Sequence, residues 1–128
     1  MLKFSTDKPI YAQIVDLVQF RIITGVYPPQ SQLPSVRDFA MELGVNPNTV
    51  QRALSNLEQA GFVRCERTAG RFVTGNIGLI QQTREALISE EIKAFVTNMR
   101  NYDCCDATII ESVCDYIAET GGGNNARG

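Results

Sequence analysis

Asn48, Gln51, Arg52 and Ser55 fall three or four positions apart, the spacing that lines side chains along one face of a helix. Amide and guanidinium groups pair bidentately with the edges of adenine and guanine, so this face carries the chemistry of base recognition. Val50, Ala53, Leu54 and Leu57 recur at the same period between them and mark an opposite, inward face. Any surface helix presents polar residues opposite an apolar stripe, so the surrounding elements decide what this face is for. Catalytic chemistry has less to stand on. The chain has no histidine, which removes Ser-His-Asp and Cys-His catalysis and every His-containing zinc site. No paired acid and base, phosphate loop or cofactor fingerprint is present either. Neither an enzyme, a cofactor nor a metal is expected.

The elements that must hold this face are legible on both sides of it. Ser35 suits a helix N-cap, answered by Asp38 three residues on, and Val36, Phe39, Ala40 and Leu43 give a short apolar stripe that ends at Gly44, the residue type favoured in a left-handed C-terminal cap. Asn46 is a second N-cap, and Pro47 falls where a helix tolerates its missing N–H. The spacing predicts a second helix of about 14 residues, roughly 20 Å long, closed by Gly61. Two helices joined by so tight a turn form a helix-turn-helix, whose second member can enter a DNA major groove.

Beyond it, Phe62–Arg67 alternates as a half-exposed strand, Thr68-Ala69-Gly70 makes a turn, and Arg71-Phe72-Val73-Thr74 returns as a second strand. Such a hairpin is a wing. Its Arg64, Arg67 and Arg71 are placed to touch phosphates or the minor groove, or simply keep an edge soluble. Ahead of the helix pair, Pro9 opens a supporting helix with Ile10, Ile14, Leu17, Val18 and Ile22 on one face. Lys8 and Tyr11 near its start could reach a phosphate, although packing is the commoner role for such a tyrosine. Tyr27–Gln32 is an ordered, proline-containing connection.

Taken in order, Pro9-Ile10-Tyr11, Gln13-Ile14, Gly25-Val26-Tyr27-Pro28, Leu33-Pro34-Ser35-Val36-Arg37, Leu43-Gly44-Val45, Thr49–Leu54, Gly61-Phe62-Val63 and Gly70–Val73 resemble the winged-helix domain of GntR-type bacterial transcription regulators over roughly residues 8 to 75. The resemblance implies that Arg37, the start of the second helix and the Gly70 wing tip contact operator DNA. With the residue chemistry it gives a DNA-contacting set of Ser35, Arg37, Asn46, Asn48, Thr49, Gln51, Arg52, Thr68, Gly70 and Arg71, with Asn48, Gln51 and Arg52 toward bases and Arg37 toward the backbone. The chain departs from the family pattern at Pro47 and Gln51, where members often carry basic residues, and at Ala69 in the wing tip.

Net charge is −2, but it is unevenly spread. Residues 1–75 hold eight Lys/Arg against six Asp/Glu, whereas residues 76–128 hold four against eight. The basic excess sits with the winged module and is small, so useful affinity for phosphates calls for two copies acting together. After Thr74-Gly75-Asn76 a helical pattern resumes with Leu87, Ile88, Ile92, Phe95, Val96 and Met99, followed by a second with Ile109, Ile110, Val113, Cys114 and Ile117. Two helices alone make a thin core. Pairing with a second copy through Leu87, Ile88, Ile92, Phe95, Val96, Met99, Ile110, Val113 and Ile117 would cover these faces, so a two-fold dimer is expected.

The expected organisation is therefore mainly α with a small β-hairpin: a winged helix-turn-helix domain over 1–75, a helical dimerisation tail over 76–119 and a flexible end over 120–128. So short a tail resembles the YtrA-like group of GntR proteins, and it leaves little room for an enclosed effector pocket of about several hundred Å³. Any small-molecule effector would sit at a dimer interface. No signal peptide or membrane span is evident, so a cytoplasmic, DNA-binding homodimer, acting as a repressor on a symmetric operator, is the leading expectation. Two other readings stay open at this point. One is a protein-interaction module that docks through the acidic tail. The other is a regulator switched by Cys104, Cys105 and Cys114, which are expected to be reduced thiols without C-x-x-C spacing.

Overall fold

In the computed structural model residues 4–121 are described. Among them the elements run α1 (Ile10–Ile23), α2 (Val36–Leu43), α3 (Pro47–Gln59), β1 (Val63–Glu66), β2 (Gly70–Val73), α4 (Ile77–Asn101) and α5 (Asp106–Glu119). Of the end expected to be flexible, residues 122–128 lie outside the described residues. The chain divides into two compact units, Met1–Arg84 and Glu85–Gly128. The division falls inside α4.

The first unit is built by local signals that agree with one another. The Ser35 hydroxyl accepts the Asp38 N–H at 3.0 Å and starts α2. Gly44 ends it at φ 68°, in the left-handed region. The Asn46 side chain then accepts the Asn48 N–H at 2.7 Å, with Pro47 opening α3. Each cap satisfies a backbone donor that the helix itself leaves unpaired. Ile14, Val18 and Ile22 of α1, Phe39 and Leu43 of α2, and Val50, Ala53, Leu54 and Leu57 of α3 are buried together with Leu33, Phe62, Val63 and Val73. At about 1.5–3 kcal/mol for each large apolar side chain fully removed from water, this cluster is what fixes α3 against α1, α2 and β1. Leu79 and Ile80 in the first turns of α4 pack onto the same cluster.

The wing differs from the expected hairpin in two respects. β1 and β2 pair antiparallel from Val63 opposite Val73 to Glu66 opposite Gly70, so β1 is shorter than the alternation suggests and β2 begins and ends one residue earlier than expected. Only Val63 of β1 is buried, because the hairpin projects past the edge of the core and gives Cys65 nothing to pack on. The second difference is an added edge. Leu33 N–H donates to the Arg71 carbonyl and Val73 N–H to the Ser31 carbonyl, both at 2.8 Å, and Gln32 bridges Phe72. The segment between the prolines thus lines β2 through these hydrogen bonds and one isolated bridge, beside a sheet of two strands.

In the second unit, α4 and α5 are joined by a turn in which Asp103 takes φ 63°. Ile109 is buried, while Val96, Met99, Cys104 and Val113 are half-buried. Leu87, Ile88, Ile92, Phe95, Ile110 and Ile117 remain 42–65% exposed. The residues expected to pair with a second copy therefore separate into an inward layer, with Val96, Met99 and Val113, and an uncovered one. Arg100 closes the turn with a bidentate pair to Asp106, at 3.0 Å and 2.9 Å. Those two hydrogen bonds hold the Asp106 carboxyl below its ordinary range. No helix among the described residues is long and apolar enough to cross a membrane.

Candidate nucleic-acid interface

With four apolar side chains of α3 committed to the core, helix geometry leaves Asn48, Gln51, Arg52 and Ser55 exposed and Thr49 half-buried. Gln51 and Glu58 lie two turns apart on the same flank, and Glu58 faces the wing, with Oε1 3.8 Å from Arg71 Nε. Asn48, Thr49 and Arg52 line the other flank. There they form one wall of a surface cleft of about 410 Å³ whose other wall is Pro9, Ile10 and Tyr11 at the start of α1. The Arg52 guanidinium sits over the Tyr11 ring, 3.8 Å from its centroid.

Two of the candidate residues also serve as caps. The Ser35 oxygen already accepts an N–H but keeps its own O–H to donate, and Asn46 Oδ1 is occupied while its amide NH₂ is free of the cap. Both groups retain donors, the polarity that a phosphate oxygen accepts. Arg37 is exposed in the first turn of α2 and meets no carboxylate among the described residues. Its helix is braced from behind by a contact that periodicity gave no hint of. Arg21 of α1 donates to Glu42 of α2 at 2.7 Å and 3.3 Å and to the Tyr27 hydroxyl at 2.6 Å. The Glu42 hydrogen bond raises the pKa of Arg21 above its ordinary value against the cost of partial burial.

The three wing arginines do not share one environment. Arg64 pairs with Glu66, donates to Gln30 Oε1 at 3.3 Å and stacks on Phe72. The Arg71 side chain is only 18% exposed, and its buried Nε has no hydrogen-bond partner among the described residues. Arg67 is exposed at the hairpin turn and is engaged by no carboxylate among those residues. Beside it, Thr68 is exposed and Gly70 takes φ 108°, where an added Cβ would stand 3.0 Å from Gln32 Nε2. The Gln32 amide caps the wing by donating to the Ala69 carbonyl.

Cys65, Cys104, Cys105 and Cys114 are all free thiols. Among the described residues, no group of three or more His, Cys, Asp or Glu side chains is arranged to hold a metal. The Cys105 thiol is held below its ordinary pKa, first by the Thr108 hydroxyl 3.2 Å away.

Residues 10–73 match the family described as bacterial regulatory proteins, gntR family. The chain is 32% identical to the HTH-type transcriptional regulator YhcF of Bacillus subtilis, over 87% of this chain and 92% of that protein. It is also 32% identical to the HTH-type transcriptional repressor YtrA of the same organism, over 71% of each. Among solved structures, a GntR family transcriptional regulator from Listeria monocytogenes superposes with a TM-score of 0.80 at 33% identity, covering 88% of this chain and 98% of that one. The likeness to YtrA over 71% of each chain is consistent with the YtrA-like group. The chain belongs to the gntR family of bacterial regulatory proteins, whose members are DNA-binding transcription regulators.

Proposed function

We propose that the protein is a cytoplasmic homodimer that represses transcription by occupying a two-fold symmetric operator. The winged module over residues 1–75 presents α3 to a major groove, and the helical tail over 76–119 pairs with that of a second copy. Asn48 and Gln51 meet base edges. Ser35, Arg37, Asn46, Thr49, Thr68 and Gly70 meet the sugar-phosphate backbone, as does Arg67 at the wing tip. The observation that carries this reading is the capped, proline-started α3, whose outer face bears amides and no carboxylate among Asn48, Gln51, Arg52 and Ser55. Arg71 has a different part: its guanidinium is turned toward Glu58 and ties the wing to α3 rather than reaching for DNA.

Dimerisation is supported by Leu87, Ile88, Ile92, Phe95, Ile110 and Ile117, large apolar side chains left open on α4 and α5, since exposed apolar surface of this extent suits an interaction surface. Two-fold pairing presents the same face on each copy and so covers both at once. Repression is supported by the likeness to a protein described as a repressor. An effector, if the protein takes one, binds where two tails meet. The test is selection of bound duplexes from a random pool by the purified full chain. Enrichment of an inverted repeat supports the reading, whereas recovery of an unenriched pool, or of single asymmetric sites, contradicts it.

A further inference from the structure

Of three arginine–aromatic stacks among the described residues, that of Arg52 on Tyr11 has the shortest separation, 3.8 Å against 4.9 Å for Arg64 on Phe72 and 5.6 Å for Arg21 on Tyr27. The other two guanidinium groups are also tied to carboxylates, Arg64 to Glu66 and Arg21 to Glu42. Arg52 meets none among the described residues, so its N–H donors stay open while the ring fixes the plane that carries them. An arginine at this position of α3, extended freely, would point outward with Asn48 and Gln51. The stack draws it sideways instead, over the start of α1, into the cleft it shares with Asn48 and Thr49.

We infer that Tyr11 is a positioning residue for DNA binding, holding Arg52 over the α1 edge of the interface so that its guanidinium takes a backbone phosphate flanking the groove instead of a base edge. The inference rests on the DNA-binding reading above and divides the α3 face by task. Asn48 and Gln51 discriminate bases, and Arg52 grips. A guanidinium already held in place loses less freedom on contact, and its partner is a charge, so the contact contributes affinity and salt dependence without sequence preference. Tyr11 contributes through its ring face; its hydroxyl is not needed.

The test is a double-mutant cycle on the full-length protein, with a duplex selected by the parent, titrated across a salt series. Arg52→Ala is expected to weaken binding roughly tenfold on specific and unrelated duplexes alike and to lower the slope of log affinity against log salt by about 1. Tyr11→Leu keeps apolar bulk at a partly buried site and is expected to lose about two- to fivefold, but nothing further once Arg52 is alanine. Tyr11→Phe should bind like the parent. The inference is overturned if Arg52→Ala relaxes preference at one base pair with the salt slope unchanged. It is equally overturned if Tyr11→Leu costs the same in both backgrounds, or if Tyr11→Phe is as damaging as Tyr11→Leu, which would put the hydroxyl itself on DNA. Should the leucine variant not fold, Tyr11→Met takes its place in the same cycle and is read by the same outcomes. A parent protein that retains no duplex would instead sink the DNA-binding reading, a result distinct from an additive cycle in a parent that binds.

Discussion

Gln51 and Arg37 are both exposed, polar and close to the helix-turn-helix, yet they should fail differently when removed. Gln51 stands on the outer face of α3, where an amide can make a bidentate contact with one base. Gln51→Ala is expected to relax discrimination at a single base pair by about 1–3 kcal/mol, measurable as the ratio of affinities for matched and substituted duplexes. Arg37 carries an exposed charge in the first turn of α2. Arg37→Ala should weaken every duplex alike and reduce the salt slope by about 1, seen in the same titrations. Which side chains stand outside was legible in the sequence, because helical period alone decides it. What each one touches was not: Arg71 meets Glu58 and Arg64 meets Gln30, partners brought near by the fold. The Tyr11 stack on Arg52 joins residues of two helices, and no local pattern announces it.

At the scale of elements, α2 and α3 follow from their ends. Because the Asn46 side chain holds the Asn48 N–H, Asn46→Ala should cost about 1 kcal/mol and lower the thermal midpoint even where DNA affinity is measured with folded protein. Gly44→Ala forces a Cβ into the left-handed region at φ 68° and is expected to cost about 1–2 kcal/mol, read from the same melts. The α4–α5 turn makes a prediction in pH. Asp106 has its folded pKa depressed by Arg100, so the pair stabilises the hairpin above the ordinary carboxylate range and the contribution is lost as pH falls through the lowered value. An NMR titration should find the Asp106 midpoint below the usual aspartate range, and Arg100→Gln should return it there. Caps and stops lie within a few residues of the helices they govern, which is why both helices were foreseen. The bridged segment before α2 is not legible in the sequence, for the opposite reason. Its prolines argue for a connection, and its hydrogen bonds to β2 come from the far side of the domain.

The whole molecule keeps its weak positive charge in the winged module, and its helical tail leaves Leu87, Ile88, Ile92, Phe95, Ile110 and Ile117 uncovered. Each winged module has a small basic excess within a chain of net charge −2, so the proposed pairing of two modules on one duplex is what would bring binding to useful affinity. Replacing Ile92 and Phe95 by Asp, both exposed and on the same face of α4, should convert a dimer to monomer in sedimentation while leaving the winged module folded. Duplex affinity should then fall by about 10²-fold or more, the loss that accompanies removal of a second linked site. The most direct measurement is a hydroxyl-radical footprint of the full-length protein on a duplex that it selects. Twin α3 helices in successive major grooves predict two equivalent protected patches on one face of the DNA, their centres about 34–36 Å or a multiple apart. One isolated patch, or two on opposite faces, would contradict the account.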